Sequence, residues 1–319
     1  MMSMEIDRFE RCNGSMGTIV DLASAQMEAT LNRRRGVAYA CGVVALFSSF
    51  VIVSRWGLST ALTLPDIAAL RFGIGGLLLL PILLKYGLSG LSVPQAVVLA
   101  TLGGLGFALL AYAGFALAPA AHGAVLLHGT LSLTTAFLIW TVGSGTARGG
   151  QKAGLALIAV GIAAMAWDGF AQASKALLAG DACLLAASLC WSGYGLYVKR
   201  LGLQATRAAA IVAVISALIF LPVYAMLPGK MLLQASWRDL VVQGVFQGVL
   251  IGAVSIFVYT RAVALLGAAD VSFFTAAVPG LTTLAGFLLL GEAPSLPSLA
   301  GVVLVTTGMA AALRGATRN

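Results

Sequence analysis

The sequence predicts an all-α integral membrane protein in which ten transmembrane helices form two inverted five-helix repeats. Three observations predict this fold: the composition, a series of apolar runs, and a similarity between the two halves of the chain. Of the 319 residues, 60% are hydrophobic and only 9% are charged, whereas a soluble domain carries about 25% charged residues. The composition therefore excludes a soluble enzyme, a disordered chain and a nucleic-acid-binding domain.

The apolar runs begin after a polar segment, residues 1–35, which we expect to be a flexible cytoplasmic tail. Most runs reach the roughly 20 residues that cross a hydrocarbon core of about 30 Å. The fifth run is short and the third and fourth nearly fuse, so nine or eleven spans also fit the sequence. In chain order the runs are 36–54, 66–84, 95–115, 119–141, 152–167, 178–198, 207–227, 239–260, 268–290 and 297–314.

The basic residues predict the orientation of these spans. With the N-terminus inside, 14 of the 19 Lys and Arg residues fall in cytoplasmic segments, 4 fall in outer segments and Arg71 lies within a span. Because Lys and Arg collect in cytoplasmic loops, we expect both termini in the cytoplasm. The same rule explains the net charge of +8 without a nucleic-acid partner.

The two halves of the chain resemble each other. The Leu-Thr-Thr sequence at 133–135 aligns with the one at 281–283, and other matches have offsets between 141 and 148. A unit of five helices is odd, so a second copy enters the membrane from the opposite side. Inverted repeats are typical of alternating-access transporters, whose substrate site lies near the midplane. We therefore predict a first five-helix repeat at 36–167 and a second at 178–314, in which Gly154 and Gly161 correspond to Gly301 and Gly308.

Three segments resemble the EamA-type drug/metabolite transporters. Residues 64–72 contain a Pro-x5-Arg-Phe sequence, residues 184–200 contain a tryptophan and a basic end, and residues 277–292 contain a mid-helix proline and close on Gly-Glu. The resemblance covers roughly residues 36–314 and implies the ten-helix, inverted-repeat fold around a cavity. Within that family, the sequence looks most similar to bacterial amino-acid exporters, including exporters of aromatic amino acids.

Aromatic and polar residues inside the runs are the candidates for substrate binding. Trp191 and Tyr194 lie one turn apart and project from one helix face, and His128 lies deep in the fourth run, where a polar group needs a partner or a wet cavity. Pro279 frees a carbonyl near Thr275 that is suited to a substrate ammonium group. Helix packing stays open as the alternative role of these residues. The candidate set is Trp191, Tyr194, Phe47, Ser48, His128, Tyr112, Tyr259, Thr275 and Pro279.

Two charged residues are candidates for gating. Arg71 lies about 7 Å into its span at 1.5 Å per residue. We expect it to be a fixed gate element or a partner for Asp66 or Glu292, with snorkelling to the interface as the alternative. Glu292 is the second candidate, and the alternative is that it simply ends a helix. We expect His122 to be interfacial and Asp181 to cap the start of the sixth span.

These features predict a secondary transporter that exports amino acids, including aromatic or bulky apolar ones, by alternating access. We expect a functional monomer in the bacterial cytoplasmic membrane, with no cofactor, no metal and no enzymatic activity. The four cysteines are expected to be reduced, and no ATP-binding motif is present. Export of hydrophobic drugs or other metabolites is the alternative, followed by a channel. The energy source stays open.

Overall fold

The computed structural model describes residues 2–141, 149–171 and 174–317, and this part of the chain is helical, with no strand. Within it, nine helices are long and apolar enough to cross a membrane, and the apolar helix Gln151–Trp167 is shorter. The protein is therefore a multi-pass membrane protein, as predicted. That all ten apolar helices cross the bilayer stays a prediction.

The described residues form ten helices, whose positions agree with the ten predicted runs within a few residues, except at the start of the first. They are α1 (Met2–Leu58), α2 (Leu64–Tyr86), α3 (Val93–Leu117), α4 (Ala120–Thr141), α5 (Gly149–Ala171), α6 (Lys175–Arg200), α7 (Ala205–Met226), α8 (Trp237–Leu266), α9 (Ala268–Thr275 and Val278–Leu290) and α10 (Leu296–Thr317).

The first helix begins at Met2, well before the predicted span start at residue 36. No proline interrupts residues 2–35, so the helix of the first span continues upstream without a break. Residues 2–35, which we expected to be a flexible tail, thus form the first part of this helix. Its predicted flexibility and its cytoplasmic location stay predictions.

Local sequence signals explain where several helices start. The Thr63 backbone and side chain both donate hydrogen bonds to the Asp66 carboxylate, which forms a capping box at the start of α2. The Ser236 side chain accepts a hydrogen bond from the Asp239 backbone at the start of α8. The break in α9 falls at residues 276–277, just before Pro279, because proline lacks the N–H that would continue the helix.

The helices pack in pairs drawn from the two halves of the chain. α5 packs along α10, α2 along α7 and α8, and α4 against α9. α1 packs against α8 and α9, and α6 packs against α3 and α4. Small residues line the closest contacts: a side chain on Gly154 would collide with the backbone of α10 at Gly308, and one on Gly75 would touch the backbone of Gly252. Such close approach is typical of helices that pack in membranes.

Three helices contain π-helical segments, at residues 101–105 of α3, 124–129 of α4 and 244–254 of α8. A π-helical turn widens the helix and occurs frequently at functional sites. In this protein the three segments lie next to one cavity, which is described below.

Candidate functional site

A cavity of about 380 Å³ lies among nine of the ten helices. Small-molecule sites in proteins measure about 300–1,000 Å³, so the volume suits one small solute. Its aromatic and polar lining residues, among those that the structure describes, are Phe47, Arg71, Phe72, His128, Ser132, Trp191, Tyr194, Ser255, Tyr259, Ser272 and Thr275.

The cavity reaches one end of the helix bundle. It includes Val198 near the end of α6 and Ala205 at the start of α7, which a short loop connects. We call this the cavity end; it is where α2, α6, α8 and α10 end. The opposite end, where α1, α3, α7 and α9 end, is called the closed end, because polar contacts join the helices there.

Aromatic side chains form one wall of the cavity. The ring centroid of Trp191 lies 4.7 Å from that of Phe107 and 5.2 Å from that of Tyr194. Tyr194 lies flat against Gly103, where an added Cβ would come within 2.5 Å of the Tyr194 Cδ2. The π-helical segment of α3 thus presents a glycine face on which the Tyr194 ring rests. The predicted shared face of Trp191 and Tyr194 lies on the cavity.

Phe47 and His128 line the cavity from α1 and α4. Their rings stack with centroids 5.4 Å apart. The Nδ1 atom of His128 is buried and has no hydrogen-bond partner in the described part of the protein. Both residues were predicted to contact substrate, and their position on the cavity is consistent with that role, which stays a prediction.

Arg71 lies deep in the cavity wall. Only 8% of its surface is exposed, and its guanidinium carbon lies 5.3 Å from the ring centroid of Phe50 and 5.8 Å from that of Phe107. The guanidinium also interacts with the Tyr112 hydroxyl. Its Nη1 atom is buried without a hydrogen-bond partner among the described residues. Arg71 lines the cavity and is 8% exposed, so it does not snorkel to the interface.

The predicted ion pairs of Arg71 are wrong, because both carboxylates have other partners. Asp66 accepts hydrogen bonds from Thr63, from the Tyr224 hydroxyl at 2.6 Å and from the Met231 backbone. These contacts fix the start of α2 to the end of α7 and to the loop that follows it.

Glu292 pairs with Arg55 instead. The two side chains approach to 2.5 Å, and the second carboxylate oxygen of Glu292 accepts a hydrogen bond of 2.6 Å from the Ala120 backbone. Arg55 also donates to the backbone carbonyls of Phe115 and Ala118. This cluster joins the ends of α1, α3 and α9 to the start of α4 at the closed end.

A buried polar group that the sequence analysis missed also lies at the closed end. His122 Nδ1 is 2.8 Å from Asp181 Oδ1, and His122 Nε2 is 3.0 Å from the Ser298 hydroxyl. Exposed fractions of 1% for His122 and 6% for Asp181 overturn the predictions of an interfacial histidine and a helix cap. Because α6 begins at Lys175, Asp181 lies two turns inside the helix rather than at its start. The three residues come from three different helices, and no local spacing in the sequence links them.

A second polar network buries two glutamines of α8. Gln247 donates to the Ser54 hydroxyl at 2.9 Å and accepts from the Tyr112 hydroxyl at 3.0 Å. Gln243 donates to the Val53 carbonyl at 2.8 Å. Tyr112, a predicted substrate contact, is thus occupied in this network and does not line the cavity.

Some of the other predicted site residues line the cavity, and others do not. Tyr259 and Thr275 line the cavity, whereas Ser48, Pro279 and Glu292 do not. Ser48 and Pro279 are buried in helix packing, and Glu292 lies on a smaller cavity of about 200 Å³ at the closed end. The residues of the described part include no cluster of three or more His, Cys, Asp or Glu side chains that could hold a metal ion.

Comparison with known proteins agrees with this architecture. Residues 178–314 match the model of the EamA-like transporter family, which indicates a membrane transporter of small solutes. No curated protein matches the chain. Among solved structures, a protein crystal structure is similar with a TM-score of 0.60 and 21% identity, and the alignment covers 90% of this chain and 100% of that one. At this identity, the likeness supports the fold alone.

Proposed function

We propose that this protein is a secondary transporter that exports amino acids, among them aromatic or bulky apolar ones, by alternating access. The observation that carries the proposal is the aromatic cavity, which reaches one end of the bundle while hydrogen-bonded clusters join the helices at the other. A carrier that opens to one side at a time needs one end that is open to the cavity and one end that is closed. A channel is less favoured, because these clusters join the helices at one end of the bundle.

The packing of the helices supports two inverted repeats. If each helix of the first half is exchanged for the corresponding helix of the second, the pair α3–α6 becomes α8–α1, α2–α8 becomes α7–α3, and α1–α9 becomes α6–α4. Each of these pairs is in contact. The pairs α2–α7, α4–α9 and α5–α10 exchange into themselves and are also in contact.

The glycines between α5 and α10 follow the same exchange. Gly154 lies against Gly308, and Gly161 lies against Gly301. Replacing Gly154 by Gly301 and Gly308 by Gly161, as the repeat alignment requires, converts the first contact into the second. A pseudo-two-fold axis between these helices explains both contacts, and such an axis permits two states of similar energy.

The charge distribution supports the direction of the two ends. With both termini in the cytoplasm, the cavity end faces the cytoplasm and the closed end faces outward, because basic residues concentrate at the former. The cavity would then load solute from the cytoplasm of a bacterial cell, and release would require the closed end to open. We further propose that the functional unit is a monomer, since the cavity lies within one chain.

Exchange in proteoliposomes tests the proposal. Protein reconstituted in vesicles is loaded with unlabelled amino acids and supplied with labelled phenylalanine, tryptophan, leucine and glycine. We expect counterflow of the aromatic and bulky solutes, with Trp191→Ala reducing it at least about tenfold because it removes a large buried contact surface.

The matched control is Trp167→Ala, since Trp167 is 66% exposed and does not line the cavity; it should exchange like the parent protein. Folding of both variants is checked by thermal unfolding. Absence of exchange for every amino acid, under any imposed pH gradient, would contradict amino-acid export. Export of hydrophobic drugs or other metabolites would then be the function to test.

A further inference from the structure

We infer that Arg71 binds a carboxylate group of the transported solute, so that the cavity selects small organic acids with an apolar body over amines of the same shape. This inference rests on the proposed function, because it names the chemical class that the same cavity takes. It assigns to Arg71 a role in binding, in place of the gating role predicted from the sequence.

The positive charge of Arg71 has no carboxylate partner in the part of the chain that the structure describes. An arginine side chain stays protonated in proteins, and a cation that is 92% buried needs a partner or a polar cavity. Its two expected partners, Asp66 and Glu292, bind Tyr224 and Arg55 instead. Among the described residues, the buried Nη1 has no hydrogen-bond acceptor, and neither of these carboxylates pairs with Arg71.

The described residues that line the cavity carry no negative charge. Among the described lining residues none is acidic, and the ionisable ones besides Arg71 are His128, Tyr194 and Tyr259. None of these carries a negative charge at neutral pH. In a cavity of low dielectric constant, a lone cation attracts an anion strongly and repels an ammonium group.

The surroundings of the Arg71 guanidinium also suit a solute that joins a carboxylate to an apolar group. The rings of Phe50 and Phe107 lie beside the guanidinium, and the planar fork of donors of an arginine matches a carboxylate through two parallel hydrogen bonds. Phe107 also contacts Trp191, which contacts Tyr194. A carboxylate on Arg71 would thus place the adjoining apolar group against the aromatic wall.

The remaining polar groups of the cavity can bind a substrate ammonium group, but they do not favour a solute that has one over a solute that lacks it. Ser132, Ser255, Ser272 and Thr275 supply hydroxyl oxygens around the rest of the cavity. Neutral oxygens accept a hydrogen bond from an ammonium group but do not supply a charge. We therefore expect the carboxylate to contribute more to affinity than the ammonium group of an amino acid.

Ligand-induced stabilisation of the full chain in detergent tests this inference. The probes share one ring and differ in their charged groups: 3-phenylpropionate has only the carboxylate, phenethylamine only the ammonium, L-phenylalanine both, and L-phenylalanine amide lacks the carboxylate charge. A ligand that binds only the folded state stabilises it by RT ln(1 + L/Kd), where L is the free ligand concentration, so at equal concentrations the tighter ligand raises the unfolding temperature more. We expect 3-phenylpropionate and L-phenylalanine to bind roughly 30-fold or more tightly than the other two.

Substitution of Arg71 isolates its contribution. Arg71→Gln should weaken both carboxylate probes by roughly 30-fold or more and leave the two amines unchanged. Arg71→Lys should recover part of the loss, because lysine retains the charge without the fork. The control Arg261→Gln removes an exposed cation of α8 that does not line the cavity, and it should bind like the parent.

The outcomes separate this inference from the proposed function. Binding of 3-phenylpropionate but not of L-phenylalanine would support the Arg71 site and contradict amino-acid export. Amines that bind as tightly as carboxylates, carboxylates that Arg71→Gln binds as well as the parent, or no binding of any probe would each overturn the inference. If Arg71→Gln fails to fold, the ranking of the four probes on the parent protein decides.

Discussion

The closed end and the cavity wall differ in how their polar groups are used. At the closed end, charged and amide side chains bind one another across helices, as in the pairs Arg55–Glu292, His122–Asp181 and Gln247–Ser54. In the cavity wall, by contrast, Arg71 and His128 each have a buried nitrogen atom with no hydrogen-bond partner among the described residues. The closed end is thus held by interactions within the protein, whereas the cavity leaves interactions for a ligand.

The proposed repeat explains why this difference is built into the sequence. The exchange of halves places Lys199 where the closed end has Arg55. At the offset of 141 that aligns Pro81 with Pro222, it places Arg207 where the closed end has Asp66. The cavity end thus has two cations, Lys199 and Arg207, where the closed end has a cation and a carboxylate. The contacts that Asp66 makes at the closed end therefore cannot be reproduced at the cavity end. We expect the two states to differ in stability, and a bound solute to shift their balance.

The largest expected effect comes from the buried pair at the closed end. Asp181→Ala removes the carboxylate from His122, and breaking a buried pair by removing one partner costs about 3–5 kcal/mol. We expect the free energy of unfolding in detergent to fall by about this amount. The measurement is chemical unfolding followed by circular dichroism, with His122→Ala and the double variant completing a cycle. Additive effects of the two substitutions would show that the pair does not couple α4 to α6.

The next effect sharpens the comparison of the two ends. Glu292→Gln removes the charge that holds Arg55, and because both side chains are about one-fifth exposed, we expect a smaller loss, about 1–3 kcal/mol. The substitution should also favour opening of the closed end. A cysteine introduced at Thr283, on the small cavity there, in a background without native cysteines, should react faster with a membrane-impermeant thiol reagent in Glu292→Gln. An unchanged rate would mean that this ion pair does not keep the end closed.

Gly103→Ala tests the cavity wall. The added Cβ would collide with the Tyr194 ring, so the ring must move and the aromatic wall must change shape. We expect amino-acid counterflow to fall about tenfold while the unfolding temperature changes little. Gly280→Ala is the control, because a Cβ at that position meets no atom within 4 Å. Normal counterflow by Gly103→Ala would show that the position of the ring is not important for transport.

The smallest effect is expected inside the glutamine network. Tyr112→Phe removes the hydroxyl that donates to Gln247, and loss of one buried hydrogen bond costs about 0.5–1.5 kcal/mol. Thermal unfolding measures this loss. Counterflow should persist at a moderately reduced rate, because Tyr112 does not line the cavity but its hydroxyl interacts with Arg71. A Tyr112→Phe protein that is stable but cannot exchange solute would restore the role in substrate binding that the sequence predicted.

Helix positions were predictable from the sequence because an apolar run of about 20 residues has one stable arrangement in a bilayer. The shared orientation of Trp191 and Tyr194 was also predictable, because a separation of three residues places both side chains on one helix face. The extension of α1 upstream of residue 36 was not predictable, because polarity alone does not distinguish a solvated helix from an irregular segment.

The partners of charged residues were harder to predict than their positions. Arg71 and Asp66 lie close in sequence, but the side chain of Asp66 is used by Thr63, Tyr224 and the loop after α7. The group of His122, Asp181 and Ser298 joins residues more than 50 positions apart. Such contacts depend on which helices pack together, and hydropathy does not carry that information.

The most direct test of alternating access measures both ends of the molecule at once. Spin labels at the exposed residues Leu233 and Leu296 report on the closed end, and labels at Lys199 and Arg261 report on the cavity end. Distances are measured by double electron–electron resonance in lipid vesicles with and without L-phenylalanine. We predict that the solute populates a state in which the closed-end distance lengthens while the cavity-end distance shortens. Distances that both stay unchanged, or that lengthen together, would contradict the account.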